Sequence, residues 1–581
     1  MIVHNADIAS LFDQTADLLE IRGDNPFRVR AYRNAARTVE EWPSDLSGAL
    51  ARDGTLPRMP GIGADLDGKI REILTTGRLS TLDKLRESFP PHLTDLLDIP
   101  GVGPRKVRTF YEELGIHDIA GLSRALRDHR IAALPGFGPK SEERLAKSVA
   151  SRLAKVRRYR LADAAREAAP LRDALRSVPG VREAVVAGSF RRMRETVGDL
   201  DFLVISEDPA PVVDRFTGYR EVDRILASGP TKASVVLRSG LQGDLRVLPP
   251  SSFGAALVYF TGSKPHNIAL RRLAQEKGLK INEYGVFRGK ERIAGTTEES
   301  VYRALGLAFI PPELREDRGE IQAAARGPLP ELVALSDLRG DLHVPGRIPQ
   351  TPESLRTLLR AARERGFAYL ALTVSVRERA AAGGPDLLPA LQRRRTEIER
   401  LQDECPEIAL LAGVETEILE NGALALPEEA EASFDLVVGS IESRFDLSRD
   451  AQTARVLRAL EDPRLHILAH PTGRRIGERE PLDLDMLRIL RKARERKVAL
   501  EIDARPDRLD LPDIYCRMAK DEGVLLAPSA EARDPEDFAN LAFAVGQARR
   551  GGVGKKDVLN TRPLPELRTF LEKRPEGTVP S

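Results

Sequence analysis

Gly188-Ser189-Phe190-Arg191-Arg192, followed shortly by Gly198-Asp199-Leu200-Asp201, decides how this chain folds and what chemistry it can host. The apolar run Ala184 to Ala187 reads as a buried strand that stops at Gly188. A glycine there carries no side chain, so a phosphate can come up to the backbone. Ser189 and Arg192 add a hydroxyl and a forked cation, both suited to phosphate oxygens. Asp199-Leu200-Asp201-Phe202-Leu203-Val204 alternates and reads as a second strand, whose period of two sends Asp199 and Asp201 to one face. Neighbouring carboxylates repel unless cations separate them, and hard oxygen donors suit Mg²⁺. Gly243-Asp244-Leu245-Arg246-Val247 reads as a further short strand bearing a third carboxylate. Three aspartates on adjacent strands can hold two metal ions roughly 3.5–4 Å apart, the clamp for in-line nucleotidyl displacement. The competing reading makes Asp199 and Asp201 turn caps and Asp244 a solvated strand residue; the whole set with Ser189 and Arg192 speaks against it.

A chain of 581 residues has room for three or four domains. The formal net charge is only +2, so nucleic acid would have to be met by local patches and backbone amides. The run Lys155-Val156-Arg157-Arg158-Tyr159-Arg160 is one such patch, or else a solvated helix face. The two cysteines, Cys405 and Cys516, are far apart and in no metal spacing, which fits a reducing compartment and excludes a disulfide framework. The mixed-polar start is no signal peptide, and no apolar run approaches the roughly 20 residues a bilayer requires.

Residues 1–80 show helical periodicity through Ile8, Leu11, Phe12, Ala16, Leu18 and Leu19. That stretch contains Met59-Pro60-Gly61-Ile62-Gly63, a unit that returns as Ile99-Pro100-Gly101-Val102-Gly103-Pro104 and as Leu134-Pro135-Gly136-Phe137-Gly138-Pro139. A repeat at roughly 35–40 residues signals stacked supersecondary units, and these resemble helix-hairpin-helix modules. Gly61, Gly63, Gly101, Gly103, Gly136 and Gly138 would let backbone N–H groups at helix starts face a DNA phosphate without sequence preference. Plain tight turns between packed helices are the alternative. From about residue 337, short apolar strands alternate with helices: Tyr369–Leu372, Ile408–Leu411, Leu436–Val438, Ile467–Leu468, Ala499–Ile502 and Val524–Leu526. That pattern predicts a parallel α/β barrel with function at the strand C-terminal ends.

The Gly-Ser-x-Arg-Arg and Gly-Asp-x-Asp motifs are joined by Gly229-Pro230-Thr231-Lys232-Ala233-Ser234, Asp244-Leu245-Arg246, Tyr259-Phe260-Thr261-Gly262-Ser263, Asn267, Arg271 and Ile281-Asn282-Glu283-Tyr284. Together they resemble the family X DNA polymerases, of the bacterial type with a C-terminal PHP (polymerase and histidinol phosphatase) domain. The resemblance implies a multidomain α/β chain: an all-α lyase-like region with helix-hairpin-helix at 1–80, a second such region at 81–150, and an α+β nucleotidyltransferase palm from 151. It further implies palm end and thumb at 241–310, a charged linker at 311–336 and a distorted α/β barrel at 337–581. Arg271 to Gly278 is expected as a basic helix and Ile281–Phe287 as a strand.

The resemblance also implies roles. Asp199 and Asp201 match ligands of both metals and Asp244 the ligand nearest the primer 3′-hydroxyl. Ser189, Arg192 and, by a weaker local alignment, Arg158 match triphosphate ligands, with Gly188 and Gly198 against the phosphates. Tyr259 and Gly262 match the turn beside the sugar, Asn267 a minor-groove contact to the base, and Arg271 and Lys232 contacts to DNA. Lys264 stands where the animal polymerases carry an acidic residue. Lys69 falls where those relatives carry a lyase lysine, although Asp65 and Gly68 depart from their pattern; an ordinary solvated lysine is the other reading. The implied cofactors are two Mg²⁺ or Mn²⁺ ions and a monovalent cation at a hairpin. The implied partners are gapped or nicked duplex DNA and a dNTP, for a monomer in the bacterial cytoplasm at the nucleoid.

In the barrel the family pattern is broken. A PHP domain holds metals with a larger ligand set, mostly histidines, of which only His343, Glu415 and His470 remain. Pro345, Thr373-Val374-Ser375, Glu442 and Pro528-Ser529-Ala530-Glu531 stand where further ligands are expected. The expectation is a short-gap DNA polymerase whose barrel keeps its fold and has lost or nearly lost a 3′–5′ exonuclease. The alternatives are an active phosphoesterase with Glu442 and Glu531 standing in for lost ligands, a non-catalytic DNA-binding repair scaffold, and template-independent nucleotide addition.

Overall fold

The computed structural model describes residues 5–572 except 41, 43–45, 48–49, 51–54, 91–92, 157, 346–350 and 377–386. Arg157 of the basic run therefore lies outside the described residues. The chain forms two compact units, Met1–Arg157 and Arg158–Ser581.

The first unit is helical throughout its described residues, from Asn5–Arg22 to Pro139–Val156. Phe12, Tyr32, Ile70, Phe110 and Ile131 are buried in its core, and Phe12 meets Tyr32 edge-on with centroids 5.6 Å apart. Each of the three repeats makes a turn. Gly61, Gly101 and Gly136 have φ of 76°, 84° and 81°, a region open to glycine and costly for other residues. The second glycine of each pair leads into Ala64–Thr76, Pro104–Leu114 or Pro139–Val156. A Cβ added at any of the six glycines would meet nothing within 4 Å, so an outside group has room to reach the backbone.

The second unit opens on a five-stranded mixed sheet ordered Glu183–Val186, Asp199–Ile205, Gln242–Leu248, Lys232–Leu237, Val222–Ser228. Asp199–Ile205 and Gln242–Leu248 run parallel, and the other neighbours are antiparallel. The predicted alternation of burial holds over Asp199–Phe202, where Leu200 and Phe202 are fully buried among Phe216 and Val235, and gives way beyond it, where Leu203, Val204 and Ile205 are all buried. The expected basic helix is longer than the sequence suggested, Lys264–Glu276.

Two expectations are corrected here. Ile281–Phe287 is not one strand: Lys280–Asn282 and Gly285–Arg288 form an antiparallel hairpin. Asn282 Oδ1 accepts the N–H groups of Tyr284 at 3.0 Å and Gly285 at 3.2 Å, which turns the chain. Residues 311–336 are not a loose linker. Arg315 is fully buried, donating to Glu298 at 2.7 Å and to the Ile310 carbonyl at 2.9 Å, and the helix Glu320–Arg326 follows.

The barrel is a seven-stranded, all-parallel sheet in sequence order from Gly340–Val344 to Leu526–Ser529. The last strand starts two residues later than expected. Its end is tied to the first strand by Ala530 N–H donating to Asp341 at 2.8 Å, so the sheet nearly closes. Helix Leu541–Arg550 packs the barrel against the palm: Gln547 Nε2 donates to the Met193 carbonyl at 2.9 Å, and Arg549 to Glu313 at 2.7 Å.

Candidate active site

The parallel pairing of Asp199–Ile205 with Gln242–Leu248 sets Asp201 opposite Asp244. Burial, and then the charges of Asp199 and Asp244, push the Asp201 carboxyl up to about 7. A carboxyl so placed fits a site for cations. Asp244 accepts from Ser234 Oγ and, at 2.9 Å, from Gln242 Nε2. The like charge on Asp201 favours those donors. Lys232 and Ser234 share a face of their strand, and Lys232 pairs in register with Arg246, which stands two residues beyond Asp244. Sequence reasoning quoted Arg246 and gave it no role.

Ala187 N–H donates to the Asp201 carbonyl at 2.7 Å, the last rung between the two strands before the chain leaves the sheet. Gly188 then takes φ 60°, and a Cβ there would lie 2.3 Å from Asp201 Oδ2. The glycine is demanded both by its conformation and by the carboxylate beside it. Arg192 Nε lies 3.1 Å from Glu316, and its Nη1 donates to the Thr261 carbonyl. Arg191 reaches Thr261 Oγ1 and Glu298, so two successive arginines fasten the phosphate cradle to the Tyr259–Gly262 turn. That turn ends helix Phe253–Thr261 and contains a cis bond between Gly262 and Ser263. Asn267 donates to the Tyr259 carbonyl at 2.7 Å, and the Arg271 guanidinium lies over the Tyr259 ring at 5.2 Å.

A cavity of about 560 Å³ joins these groups: Gly188, Ser189, Arg192, Asp199, Asp201, Tyr259, Gly262, Asn267 and Arg271 all line it, together with Lys264. A pocket of that size can take a nucleotide. Four predicted residues, Gly198, Asp244, Arg158 and Lys232, stand outside it. Asp244, beside Asp201 on the neighbouring strand, does not line it. Arg158 donates to the side chain and carbonyl of Thr196, bracing the chain just before Gly198. Lys232 is an exposed strand residue.

In the first unit, Lys69 Nζ is paired with Asp65 and lies 5.4 Å from the centre of the Tyr32 ring. Burial draws its pKa down, but Asp65 and Tyr32 outweigh that and hold it above the ordinary lysine value.

The barrel's strand ends gather more acids than expected. His343 Nδ1 lies 2.7 Å from Glu501 and its Nε2 3.8 Å from Glu415; His470 Nε2 lies 3.3 Å from Glu442. Two groups, His343 with Glu501 and Glu531, and Glu415 with Glu442 and His470, each bring ligand atoms within 4.8 Å of one another. Sequence reasoning missed Glu501, although an acid at the end of an apolar strand was the signal. It also missed Arg505, 3.1 Å from Glu531, and Arg508, 3.6 Å from both Glu442 and Asp503. Burial lowers the affinity of His343 for a proton, but Glu501 and Glu415 outweigh it and hold the imidazole well above its usual pKa.

The DNA polymerase beta thumb family matches residues 256–316, a helix-hairpin-helix domain residues 3–79 and a SAM-like helix-hairpin-helix tandem residues 93–151. The DNA polymerase/3′-5′ exonuclease PolX of Bacillus subtilis (strain 168) is 34% identical over 575 residues, 98% of this chain and 100% of that protein. The chain belongs to the family X DNA polymerases. DNA polymerase lambda of Rattus norvegicus is 26% identical over 54% of this chain and 56% of its own length. DNA polymerase lambda of Arabidopsis thaliana is 25% identical over 54% and 62%. As a family X polymerase the chain is a nucleotidyltransferase acting on DNA and dNTPs, and the family works with divalent metal ions. Among the described residues no helix is long and apolar enough to cross a membrane.

Proposed function

We propose that this polymerase fills short gaps in nicked or gapped duplex DNA, as a template-directed monomer, during repair. The observation that carries the reading is the single cavity in which the phosphate cradle, two aspartates and the Tyr259–Gly262 turn meet. Asp199 and Asp201 would hold two Mg²⁺ or Mn²⁺ ions, with Asp244 joining for one of them. The metals supply Lewis-acid activation of the primer hydroxyl and neutralise phosphate charge. The primer 3′-oxygen bonds to the α-phosphorus, the α–β anhydride bond breaks, and pyrophosphate leaves. Ser189 and Arg192 hold the triphosphate, and Arg192 opposes the charge that grows on the leaving group. Gly188 and Gly198 let the phosphates approach the backbone, and Arg158 braces that approach. The Tyr259–Gly262 turn abuts the sugar, Asn267 the base, and Arg271 and Lys232 the DNA. The hairpin glycines Gly61, Gly63, Gly101, Gly103, Gly136 and Gly138 grip phosphates, one of them with a monovalent cation. The domain limits follow the sequence reading, save that 311–336 belongs to the folded body.

The test is extension of a 5′-labelled primer across a short gap with Mg²⁺ and then Mn²⁺. A ladder that requires the template and stops at the gap's end is expected. Growth that ignores the template supports terminal addition instead, and no growth with either metal leaves the scaffold reading.

We further infer that the barrel's exonuclease is lost or weak. Arg505 and Arg508 support this, because cations of the protein itself already face Glu531, Glu442 and Asp503. The opposite reading, Mn²⁺ held by Glu442 and Glu531 beside His343, Glu415 and His470, draws on the two convergent groups. With Mn²⁺ and no nucleotide, primer bands should not shorten. Shortening that survives Asp199→Ala and disappears in His470→Ala would reverse the conclusion.

Lys69 is the candidate lyase amine, and its pairing with Asp65 keeps it protonated. Borohydride should therefore trap little wild-type protein on abasic DNA, and Asp65→Ala should raise the yield. A strong wild-type adduct that vanishes in Lys69→Ala would show that the ion pair is no obstacle.

A further inference from the structure

The loop that leaves the phosphate cradle is gripped from behind by the barrel. Arg192 keeps only 13% of its side chain exposed. Its Nε faces Glu316 at 3.1 Å and its Nη1 the Thr261 carbonyl, while its Nη2 has no protein partner among the described residues. Two nitrogens are thus spent on orientation, and one is left for what enters the cavity.

Glu316 is shared. Arg550 Nη1 lies 2.9 Å from the same oxygen that Arg192 faces, and it also donates to the Arg192 carbonyl at 2.7 Å. One carboxylate cannot offset two guanidiniums in a site this dry. Asp513 adds a second acid, accepting from Arg550 Nη2 at 2.7 Å and from Arg318 at 3.0 Å, while Arg194 also lies 3.9 Å from Glu316. Arg550 itself has 2% of its side chain exposed. The next residue of the loop is held by the same helix. Met193 adopts φ 55°, a left-handed conformation costly for any residue that carries a Cβ, and its carbonyl is fixed by Gln547. A Cβ at Gly546 would lie 2.6 Å from Met193 Cε, so the helix sits close on the loop.

We propose that Arg550, on the barrel helix Leu541–Arg550, is a positioning residue for nucleotide binding, fixing the Arg192 guanidinium through Glu316 and through the Arg192 carbonyl. The proposal rests on the reading of Arg192 as a triphosphate ligand. An arginine held on two sides presents its fork in one direction, whereas a free one must be ordered each time a triphosphate arrives. The barrel thereby serves the polymerase directly, whatever its own strand ends do.

Single-nucleotide incorporation into gapped DNA by the full chain tests this with five variants. Arg550→Ala should raise the nucleotide KM about tenfold to a hundredfold, the scale on which misplaced ligands act, with gapped-DNA affinity unchanged. Arg549→Ala cuts the neighbouring contacts to Glu313 and the Val333 carbonyl without reaching the cradle, and its KM should stay at the wild-type value. Arg192→Ala combined with Arg550→Ala should be no worse than Arg192→Ala alone. Additive losses, or a wild-type KM in Arg550→Ala, would overturn the positioning role. Should Arg550→Ala fold poorly, Glu316→Gln keeps the shape and removes the shared charge, and a normal KM there is equally fatal. If Arg192→Ala itself binds nucleotide normally, the nucleotide reading of Arg192 falls first and takes the proposal with it.

Discussion

Asp201→Asn should lower primer extension by about 10³-fold or more, while the protein still binds gapped DNA. The side chain keeps its shape, so the loss comes from charge alone. Burial, and then the charges of Asp199 and Asp244, already push the Asp201 carboxyl up to about 7. Removing that charge relieves repulsion in the metal-free protein, so Asp201→Asn should unfold at the same urea concentration as the wild type or a higher one. Gel extension and urea unfolding followed together check both halves. A variant that still extends primers, or one that loses activity because it unfolds, would refute the assignment.

Glu298→Ala should destabilise the second unit by about 3–5 kcal/mol, the usual cost of stranding a buried charge. Arg315, fully buried, donates to the Glu298 carboxylate, and Arg191 shares the same acid at 2.6 Å. The Arg315 guanidinium is also packed over Tyr302 at 5.2 Å and Phe309 at 5.6 Å, which leaves no route to water. Unfolding of a chain this large need not be two-state. The clean readout is limited proteolysis between the palm and the barrel, with an early cut near residues 310–320 expected in the variant. Unchanged cleavage and unchanged urea unfolding would show that Arg315 finds another partner.

The sequence was most legible where pattern and position coincide. Alternation along Asp199–Ile205 placed two aspartates on one face, and the sheet delivered that face to the cavity. Apolar runs marked the barrel strands because a parallel sheet is covered on both sides. The thumb hairpin was hidden by Asn282, whose side chain makes a turn without a Gly-rich break. Residues 311–336 misled for a different reason. Their charges looked solvated, yet Arg315, Glu316 and Arg318 each pair with residues distant in sequence, Glu298, Arg192, Arg550 and Asp513. A one-dimensional reading sees the charges and not the partners. The same limit hid Glu501, Arg505 and Arg508, which become meaningful only when the strand ends converge.

The bond from Gln547 to the Met193 carbonyl spans 354 residues. At the 5–20 residues per second of protein synthesis, the cradle loop leaves the ribosome roughly 20–70 s before the helix that grips it. The palm's last fixed point is thus among the latest parts of the chain to be made. A prematurely ended chain, even one carrying every aspartate and every cradle residue, would carry Met193 without its clamp.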